Sequence, residues 1–214
     1  MPASELQVPY DSNNFTPDEA WTTVRDVNHW YAYQADYALE SLGRGTGSLL
    51  IIGSPIFEAV EFENNGWDVT YMDVRQPPLI KNYLPGDIST ADLPPETFDA
   101  VSSTCVLCHA GMGRYGDQVV KDAELKSLEN IYKTLKKGSR AAITFGPVSG
   151  QDFQVRWGNM QRIFTVPSAK RLCYQAGFQI MDVKIRDLKQ NKWVEEFSEL
   201  GSLDRHYLSM TLRK

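Results

Sequence analysis

A glycine-rich stretch near the middle of the sequence carries the side chains best suited to acid–base chemistry. Residues 108–117 read Cys-His-Ala-Gly-Met-Gly-Arg-Tyr-Gly-Asp, and the glycines favour a tight loop. A histidine can take a proton from a hydroxyl near neutral pH, so the loop predicts His109 as a general base. Arg114, Tyr115 and Asp117 are further candidates for catalytic roles. In the alternative, Arg114 and Asp117 pair to brace the loop, Tyr115 is core, or Asp117 caps the next helix.

A second stretch, residues 48–75, has the layout of a nucleotide-binding unit. An apolar run ends at Gly53, a helical pattern follows Pro55, and a second strand pattern ends at Asp73, 20 residues beyond the glycine. In such folds the turn brings backbone N–H groups to the ligand, and the acid at the strand tip binds a ribose hydroxyl pair. Only one glycine of Gly-x-Gly-x-x-Gly is present, so an ordinary βαβ unit is the alternative.

The elements that must position these residues alternate along the chain. Hydrophobic periodicity predicts further helices over 16–42, 117–137 and 165–176, and strands over 49–52, 67–73, 83–88, 98–103, 140–145, 178–187 and 207–212. The last two strands are expected to pair antiparallel at the sheet edge. With no repeat, linker or low-complexity tract, we predict one domain over 1–214, with a helical extension over 1–46 and a core over 47–214. The extension is rich in aromatic residues, which is typical of a helix that packs on a sheet or covers a cleft.

Composition excludes several classes of function. The net charge of −5 disfavours a nucleic-acid partner, and no apolar run is long enough to cross a bilayer. The N-terminus lacks the basic start and apolar core of a secretory signal, and three cysteines fit a reducing compartment, so we predict a cytoplasmic protein. Cys105 and Cys108 form Cys-x-x-Cys but lack the second ligand pair of a zinc site. We predict no metal; a divalent ion would need Asp87, His109 and Asp117 to lie together.

The order of elements resembles that of class I S-adenosylmethionine-dependent methyltransferases. Three short runs also resemble features of that fold: Phe98-Asp99-Ala100-Val101 its "FD-hydrophobic-V", Leu135-Lys136-Lys137-Gly138-Ser139 its "LKPGG" turn with two substitutions, and Ala176-Gly177-Phe178 its "AGF". The resemblance implies an α/β fold with a Rossmann-like seven-stranded sheet, helices on both faces and strands 6 and 7 as an antiparallel edge pair. A Rossmann dehydrogenase fits less well, because it would need the fuller glycine fingerprint and a parallel sixth strand.

The same resemblance implies S-adenosylmethionine as cofactor and S-adenosylhomocysteine as product. The residues it implies for cofactor binding lie at the ends of the first four strands: Gly53, Ser54, Pro55, Glu58, Asp73, Val74, Arg75, Asp87, Ile88, Thr104 and Cys105. Of these, Asp73 would bind the ribose and Asp87 the adenine amino group, while Ile88 would pack on the adenine ring.

Residues 108–117 also resemble the "EHxGLGRYGD" signature of a methyltransferase-like family, domain of unknown function 268, and residues 53–59 resemble its "GSxxPWxEA". Cys108 replaces the family's Glu and the Trp is missing, which leaves a Glu-assisted role for the histidine without its glutamate. The four candidate catalytic residues match. The resemblance, which extends to the methyltransferase modules with which large algal viruses decorate surface sugars, implies a small-molecule or oligosaccharide acceptor and association with glycosyltransferase domains.

The expected reaction is therefore O-methylation of a sugar hydroxyl, with Trp157 and Trp193 available to stack on a sugar. No "(D/N)PP(Y/F)" box follows the fourth strand, which argues against N-methylation of nucleic-acid bases. Two alternatives stay open: methylation of another small hydroxylated molecule, such as a phenol or lipid headgroup, and a catalytically idle module that binds a partner chain.

Overall fold

An eight-stranded mixed sheet lies at the centre of the computed structural model, which describes residues 30–75, 77, 80–148, 154–156, 161–187, 192–194 and 206–214. The strands are β1 (Ser48–Ile52), β2 (Asp68–Asp73), β3 (Tyr83–Pro85), β4 (Phe98–Thr104), β5 (Leu135–Pro147), β6 (Gln154–Arg156), β7 (Gln161–Ile163), β8 (Gln179–Asp187), β9 (Lys192–Val194) and β10 (His206–Arg213). The helices are α1 (Trp30–Leu42), α2 (Ile56–Asn64), α3 (Ala123–Thr134) and α4 (Val166–Gln175).

The sheet has the strand order β3-β2-β1-β4-β5-β10-β8-β9, and its first five members are parallel. β1 therefore pairs with β2 on one side and with β4 on the other. The chain order reverses at this point, and in open α/β sheets ligands bind beyond the carboxyl ends of the strands at such a reversal. The topology confirms the predicted Rossmann-like methyltransferase fold, including the antiparallel pairing of β8 with β10.

Both faces of the sheet are covered by helices, which explains why β1 is apolar throughout its centre. Leu49 and Ile51 pack with Ala38 and Leu42 of α1 on one face. On the other face, residues of β1, β4 and β5 pack in one cluster with α3 and α4. Strands buried on both faces read as continuous apolar runs rather than alternating ones.

Several predicted boundaries are wrong. α3 begins at Ala123, six residues after the predicted start at 117, and ends at Thr134, after which the chain enters β5. The alternative in which Asp117 caps this helix is also wrong, because its carboxylate accepts hydrogen bonds from the backbone within the preceding loop. β3 ends at Pro85, so Asp87 lies in the turn that follows rather than in the strand.

The sheet has eight strands rather than the predicted seven, because β9 adds to the edge beyond β8. A separate hairpin, β6–β7, was also not predicted. These strands have three residues each, too few for an alternating pattern to be visible in the sequence. The predicted start of the first helix at Thr16 lies outside the described residues. No helix in the described part of the chain is long and apolar enough to cross a membrane.

Candidate active site

A cleft opens at the carboxyl ends of β1 to β4. Most of the predicted cofactor-binding residues line it: Gly53, Asp73, Val74, Arg75, Asp87, Ile88, Thr104 and Cys105. Three of the predicted catalytic residues, His109, Tyr115 and Asp117, also line it. The fold thus brings together two groups of residues that are separated in the sequence.

The turn after β1 needs a glycine for two reasons. Gly53 has a φ of +57°, a left-handed conformation that strains residues with a Cβ atom. A Cβ atom there would also lie 2.7 Å from Val106 Cγ2. The glycine therefore leaves a space between the turn and the loop after β4, at the edge of the cleft.

Asp73 presents its carboxylate at the tip of β2. Its side chain is buried, and its Oδ1 accepts a hydrogen bond of 2.8 Å from the backbone N–H of Arg75. The Arg75 guanidinium lies beside it, with Nε 3.3 Å from Oδ1, and it also stacks on the Tyr115 ring at 4.4 Å from the ring centroid. The second strand and the loop after the fourth are thus linked across the cleft.

Asp87 has a carboxylate oxygen that lacks a hydrogen bond. Its Oδ1 accepts a hydrogen bond of 2.8 Å from the backbone N–H of Ser89. Its Oδ2 is buried and has no hydrogen-bond partner among the residues that the structure describes. A buried carboxylate oxygen without a donor is costly, so a bound ligand that supplies an N–H group there would be favoured. The adenine amino group of S-adenosylmethionine is such a donor, and the buried Ile88 lies next in the chain.

Ser54, Pro55 and Glu58, also predicted to bind the cofactor, are not among the residues that line the cleft. They are buried behind the glycine turn. Ser54 Oγ accepts a hydrogen bond of 3.1 Å from the backbone N–H of Thr104, and the Ser54 carbonyl accepts a hydrogen bond from the Tyr71 hydroxyl. These contacts fix the turn against β4 and β2. Sequence spacing could not show which side of the turn each residue occupies.

Glu58 is a completely buried carboxyl group. It accepts hydrogen bonds from Ser102 Oγ at 2.5 Å and from Thr104 Oγ1 at 2.9 Å. Burial raises its pKa to about 7, against an ordinary value of 4.5, and the two hydroxyl groups oppose that rise only in part. Glu58 of α2 thus stabilises β4 through two hydrogen bonds and remains partly protonated near physiological pH.

His109 lies on a short turn that directly follows β4. Its backbone N–H and that of Ala110 both donate to the Val106 carbonyl, at 2.8 and 2.9 Å. Arg114 Nη1 lies 3.2 Å from Nδ1 of the imidazole and 3.5 Å from Nε2. Because an arginine can only donate, the ring nitrogen that faces it accepts the hydrogen bond and carries no proton.

The rest of the loop holds its shape through Asp117. Its Oδ2 accepts a hydrogen bond of 3.0 Å from the Gly113 N–H, and its Oδ1 accepts one of 3.0 Å from the Tyr115 N–H. Both carboxylate oxygens therefore brace the loop. The Tyr115 ring packs edge-on against His109 at 5.7 Å, and burial raises the Tyr115 pKa to about 12. The Tyr115 hydroxyl consequently stays protonated near neutral pH and can donate a hydrogen bond.

Sequence reasoning missed three residues around this site. Tyr31 of α1 lines the cleft, and Gln34, one helical turn further on, accepts a hydrogen bond of 3.1 Å from Cys105 Sγ through its Oε1. Burial raises the pKa of both Tyr31 and Cys105. The aromatic character of the first helix was the available signal for Tyr31. Arg162 of β7 donates 2.6 Å to the Ala110 carbonyl, and a lone arginine in a short strand gave no signal.

The described residues contain no group of three histidine, cysteine, aspartate or glutamate side chains that could hold a metal ion. Asp87, His109 and Asp117 all line the cleft, but they are not such a group. The oxygens of Asp117 accept backbone hydrogen bonds instead.

No protein-family model and no curated protein sequence matches the chain. The resemblance to domain of unknown function 268 therefore stays a prediction. Solved structures, in contrast, show similar folds. The 1,6-didemethyltoxoflavin-N1-methyltransferase of Burkholderia thailandensis, solved with 1,6-didemethyltoxoflavin and S-adenosylhomocysteine, is 21% identical with a TM-score of 0.66 over 86% of this chain and 77% of that one.

Two further structures show the same architecture. The [4+2]-cyclase SpnF is 15% identical with a TM-score of 0.61, and the match covers 87% of this chain and 80% of the cyclase. An S-adenosylmethionine-dependent methyltransferase from Mesorhizobium loti is 14% identical with a TM-score of 0.56, covering 87% of this chain and 98% of that one. The chain has the fold of class I S-adenosylmethionine-dependent methyltransferases.

Proposed function

We propose that the chain is an S-adenosylmethionine-dependent O-methyltransferase that methylates a hydroxyl of a sugar or glycan, with His109 as the general base. The observation that carries this proposal is the cleft itself. It places a buried carboxylate oxygen without a donor, on Asp87, in the same cavity as a histidine whose ring nitrogen accepts a hydrogen bond. The first feature suits a bound adenine, and the histidine can act as a base once Arg114 leaves the nitrogen that accepts its hydrogen bond.

The cofactor half of the cleft is assigned to the ends of the first three strands. Gly53 would allow the ligand to approach the backbone, Asp73 would accept hydrogen bonds from the ribose, and Asp87 with Ile88 would bind the adenine. S-adenosylmethionine supplies a methyl group activated by its sulfonium charge. These residues orient that group, and orientation can contribute several kcal/mol to lowering a barrier.

The acceptor half is assigned to the loop after β4. His109 receives the hydroxyl proton as the bond from oxygen to the methyl carbon forms and the bond from carbon to sulfur breaks. The contact with Arg114 constrains this step. A neutral imidazole has one protonated and one unprotonated nitrogen, and only the unprotonated one can take the hydroxyl proton. Arg114 Nη1 lies 3.2 Å from Nδ1, which accepts its hydrogen bond. Arg114 must therefore move away from Nδ1 before His109 can accept the proton.

Several features support a sugar as the acceptor. The loop matches the four polar and aromatic positions of a glycan-associated signature, and the Tyr31 and Tyr115 rings in the cleft wall could pack on the apolar face of a sugar. Trp193 instead packs against Tyr37 at 5.7 Å, and Trp157 lies outside the described residues. We further propose association with glycosyltransferase domains and, because the described cysteines are all unpaired, a cytoplasmic location.

An acceptor screen tests the substrate class. The protein is incubated with methyl-labelled S-adenosylmethionine and, separately, with monosaccharides, oligosaccharides, phenols and lipid headgroups, and label in the acceptor is counted. We expect label in the sugars. Label only in phenols or headgroups would favour the rival hydroxylated acceptors and overturn the sugar assignment.

Replacing Asp73 tests the cofactor half. Asp73→Ala should weaken S-adenosylmethionine binding by about 2–3 kcal/mol, because hydrogen bonds to a charged group are lost. Calorimetric titration measures the change. Asp68→Ala is the matched control, since Asp68 is an exposed acid at the other end of the same strand. Wild-type affinity in Asp73→Ala would contradict the ribose assignment.

Replacing Asp87 tests the adenine contact. Asp87→Asn should weaken cofactor binding less than Asp73→Ala does, because a single hydrogen bond is affected, worth roughly 0.5–1.5 kcal/mol. The variant should also lose preference for adenine over an inosine-based analogue, since the asparagine amide can donate to the inosine carbonyl. Both are read by titrating S-adenosylhomocysteine and its inosine counterpart. Equal binding of the two by the wild type would count against the assignment.

A further inference from the structure

The turn that carries His109 is anchored by an arginine from a distant part of the chain. Arg162 lies in β7, on the hairpin between β5 and α4, and its side chain is 8% exposed. Its backbone N–H donates 2.8 Å to the Cys108 carbonyl. Its Nη1 donates 2.6 Å to the Ala110 carbonyl and 3.3 Å to the Leu107 carbonyl.

These three carbonyls surround His109 on both sides along the backbone. The turn has the hydrogen bonding of a single helical turn, with Ala110 N–H donating to the Val106 carbonyl, and the later carbonyls of such a turn have no partner within it. A guanidinium suits this position because its Nη1 can donate to two of the carbonyls while its Nε faces Glu124. Arg162 thus satisfies the end of the turn and fixes its orientation.

Arg162 is itself held in place by charge. Its Nε lies 3.1 Å from Glu124 Oε2 in the first turn of α3, and both side chains are largely buried. The hairpin, the His109 turn and α3 therefore meet at one guanidinium. A change in the hairpin would reach His109 through this group.

We infer that Arg162 is a positioning residue that sets the location of the His109 imidazole relative to the cleft. The inference rests on the proposed function in that His109 is taken as the base. It adds that the β6–β7 hairpin, rather than the loop alone, determines where the base stands. A displacement of about 1 Å in a catalytic group can lower a rate by about 10²-fold, so a modest loosening of the turn is enough to matter.

The test uses Arg162→Lys, which keeps the positive charge but has one side-chain nitrogen, so it cannot hold Glu124 and the two carbonyls from separate atoms as Nε and Nη1 do. The direct readout is the imidazole NMR signal of His109 in the folded protein. The chain has three histidines, so His109→Gln identifies the signal by its disappearance. We expect that signal to shift or broaden in Arg162→Lys. Arg171→Lys, at an exposed arginine of α4, is the matched control and should leave it unchanged.

Two further readouts separate positioning from simple destabilisation. Affinity for S-adenosylhomocysteine should stay within about twofold of wild type, because Arg162 is not among the residues that line the cleft and the lysine keeps its charge. Turnover of labelled cofactor with the sugars of the screen should in contrast fall by about 10–100-fold. A merely structural role would lower the thermal midpoint and leave the signal of the folded protein at its wild-type position. An unchanged His109 signal in Arg162→Lys overturns the inference.

The NMR readout needs no acceptor. If no acceptor is ever methylated, the proposed function fails, yet the signal still decides whether Arg162 positions His109. If Arg162→Lys does not fold, Glu124→Gln takes its place, since it keeps the arginine and removes its charged partner. It should shift the same signal by less, and an unchanged signal in that folded variant overturns the inference equally.

Discussion

His109→Gln is expected to lower turnover by roughly 10²–10⁴-fold, the usual contribution of a general base, while leaving the affinity for S-adenosylmethionine near wild type. The glutamine amide keeps the ability to donate and accept hydrogen bonds but cannot take a proton. The imidazole lies beside Arg114 and Tyr115, in the proposed acceptor half of the cleft, so its loss should spare the proposed cofactor half. His109→Ala should be at least as inactive.

Turnover and calorimetric affinity are measured on the same preparations, with thermal unfolding as the control for folding. A glutamine variant that keeps most of its activity would mean that His109 positions the acceptor by donating from the nitrogen opposite Arg114, and base catalysis by His109 would be wrong.

Glu58→Gln is expected to stabilise the folded protein at pH 8 and to leave it nearly unchanged at pH 4.5. Burial raises the folded pKa of Glu58 to about 7, against 4.5 in the unfolded chain. Between these values the unfolded chain binds fewer protons than the folded one, so the free energy of unfolding falls as pH rises from 4.5 to 7. The full cost, on the order of 3 kcal/mol, is present above pH 7 and absent below 4.5.

Urea unfolding of both proteins at the two pH values measures this difference. Glutamine mimics the neutral acid and can still bond to Ser102 and Thr104, whose hydroxyls both donate and accept. Glu63→Gln, at an exposed position on the same helix, is the control and should show no such pH dependence. If Glu58→Gln is less stable than wild type by the same amount at both pH values, ionisation of the buried carboxyl group does not destabilise the folded protein.

Much of the fold was predictable because its strongest signals are local. The apolar run before Gly53 and the helix stop after Asn64 reflect burial and backbone conformation, and both lie where predicted. The acid at the end of β2 and the antiparallel pairing of β8 with β10 followed from the same kind of pattern. Such signals depend on residues that are near one another in the sequence, so they can be recognised without a structure.

The parts that could not be predicted depend on distant contacts. Nothing in the spacing of Ser54 and Glu58 shows that they face β4 rather than the cleft, since that is decided by Ser102 and Thr104 some 45 residues away. Asp117 could be either a loop brace or a helix cap, because both use the same residue type, and only the backbone contacts within the loop decide between them. Arg162 became visible only when the hairpin placed it on the carbonyls around His109.

The fold alone does not decide the chemistry, because a [4+2]-cyclase shares it with the methyltransferases. A cleft that binds S-adenosylmethionine without using its methyl group would suit an idle binding module equally well. The features that favour methyl transfer are His109 and its loop. They predict that the methyl carbon of S-adenosylmethionine is transferred to an acceptor.

The central measurement therefore follows that carbon. The protein is incubated with S-adenosylmethionine labelled with ¹³C in the methyl group and with the sugars of the acceptor screen, and the label is located by NMR while S-adenosylhomocysteine is quantified. We predict that the label appears as a methyl ether on a sugar oxygen, with one S-adenosylhomocysteine formed for each ether, in the wild type and not in His109→Gln. Tight binding of S-adenosylmethionine with its methyl group left intact, whichever acceptor is offered, would contradict the assignment of this cleft to methyl transfer.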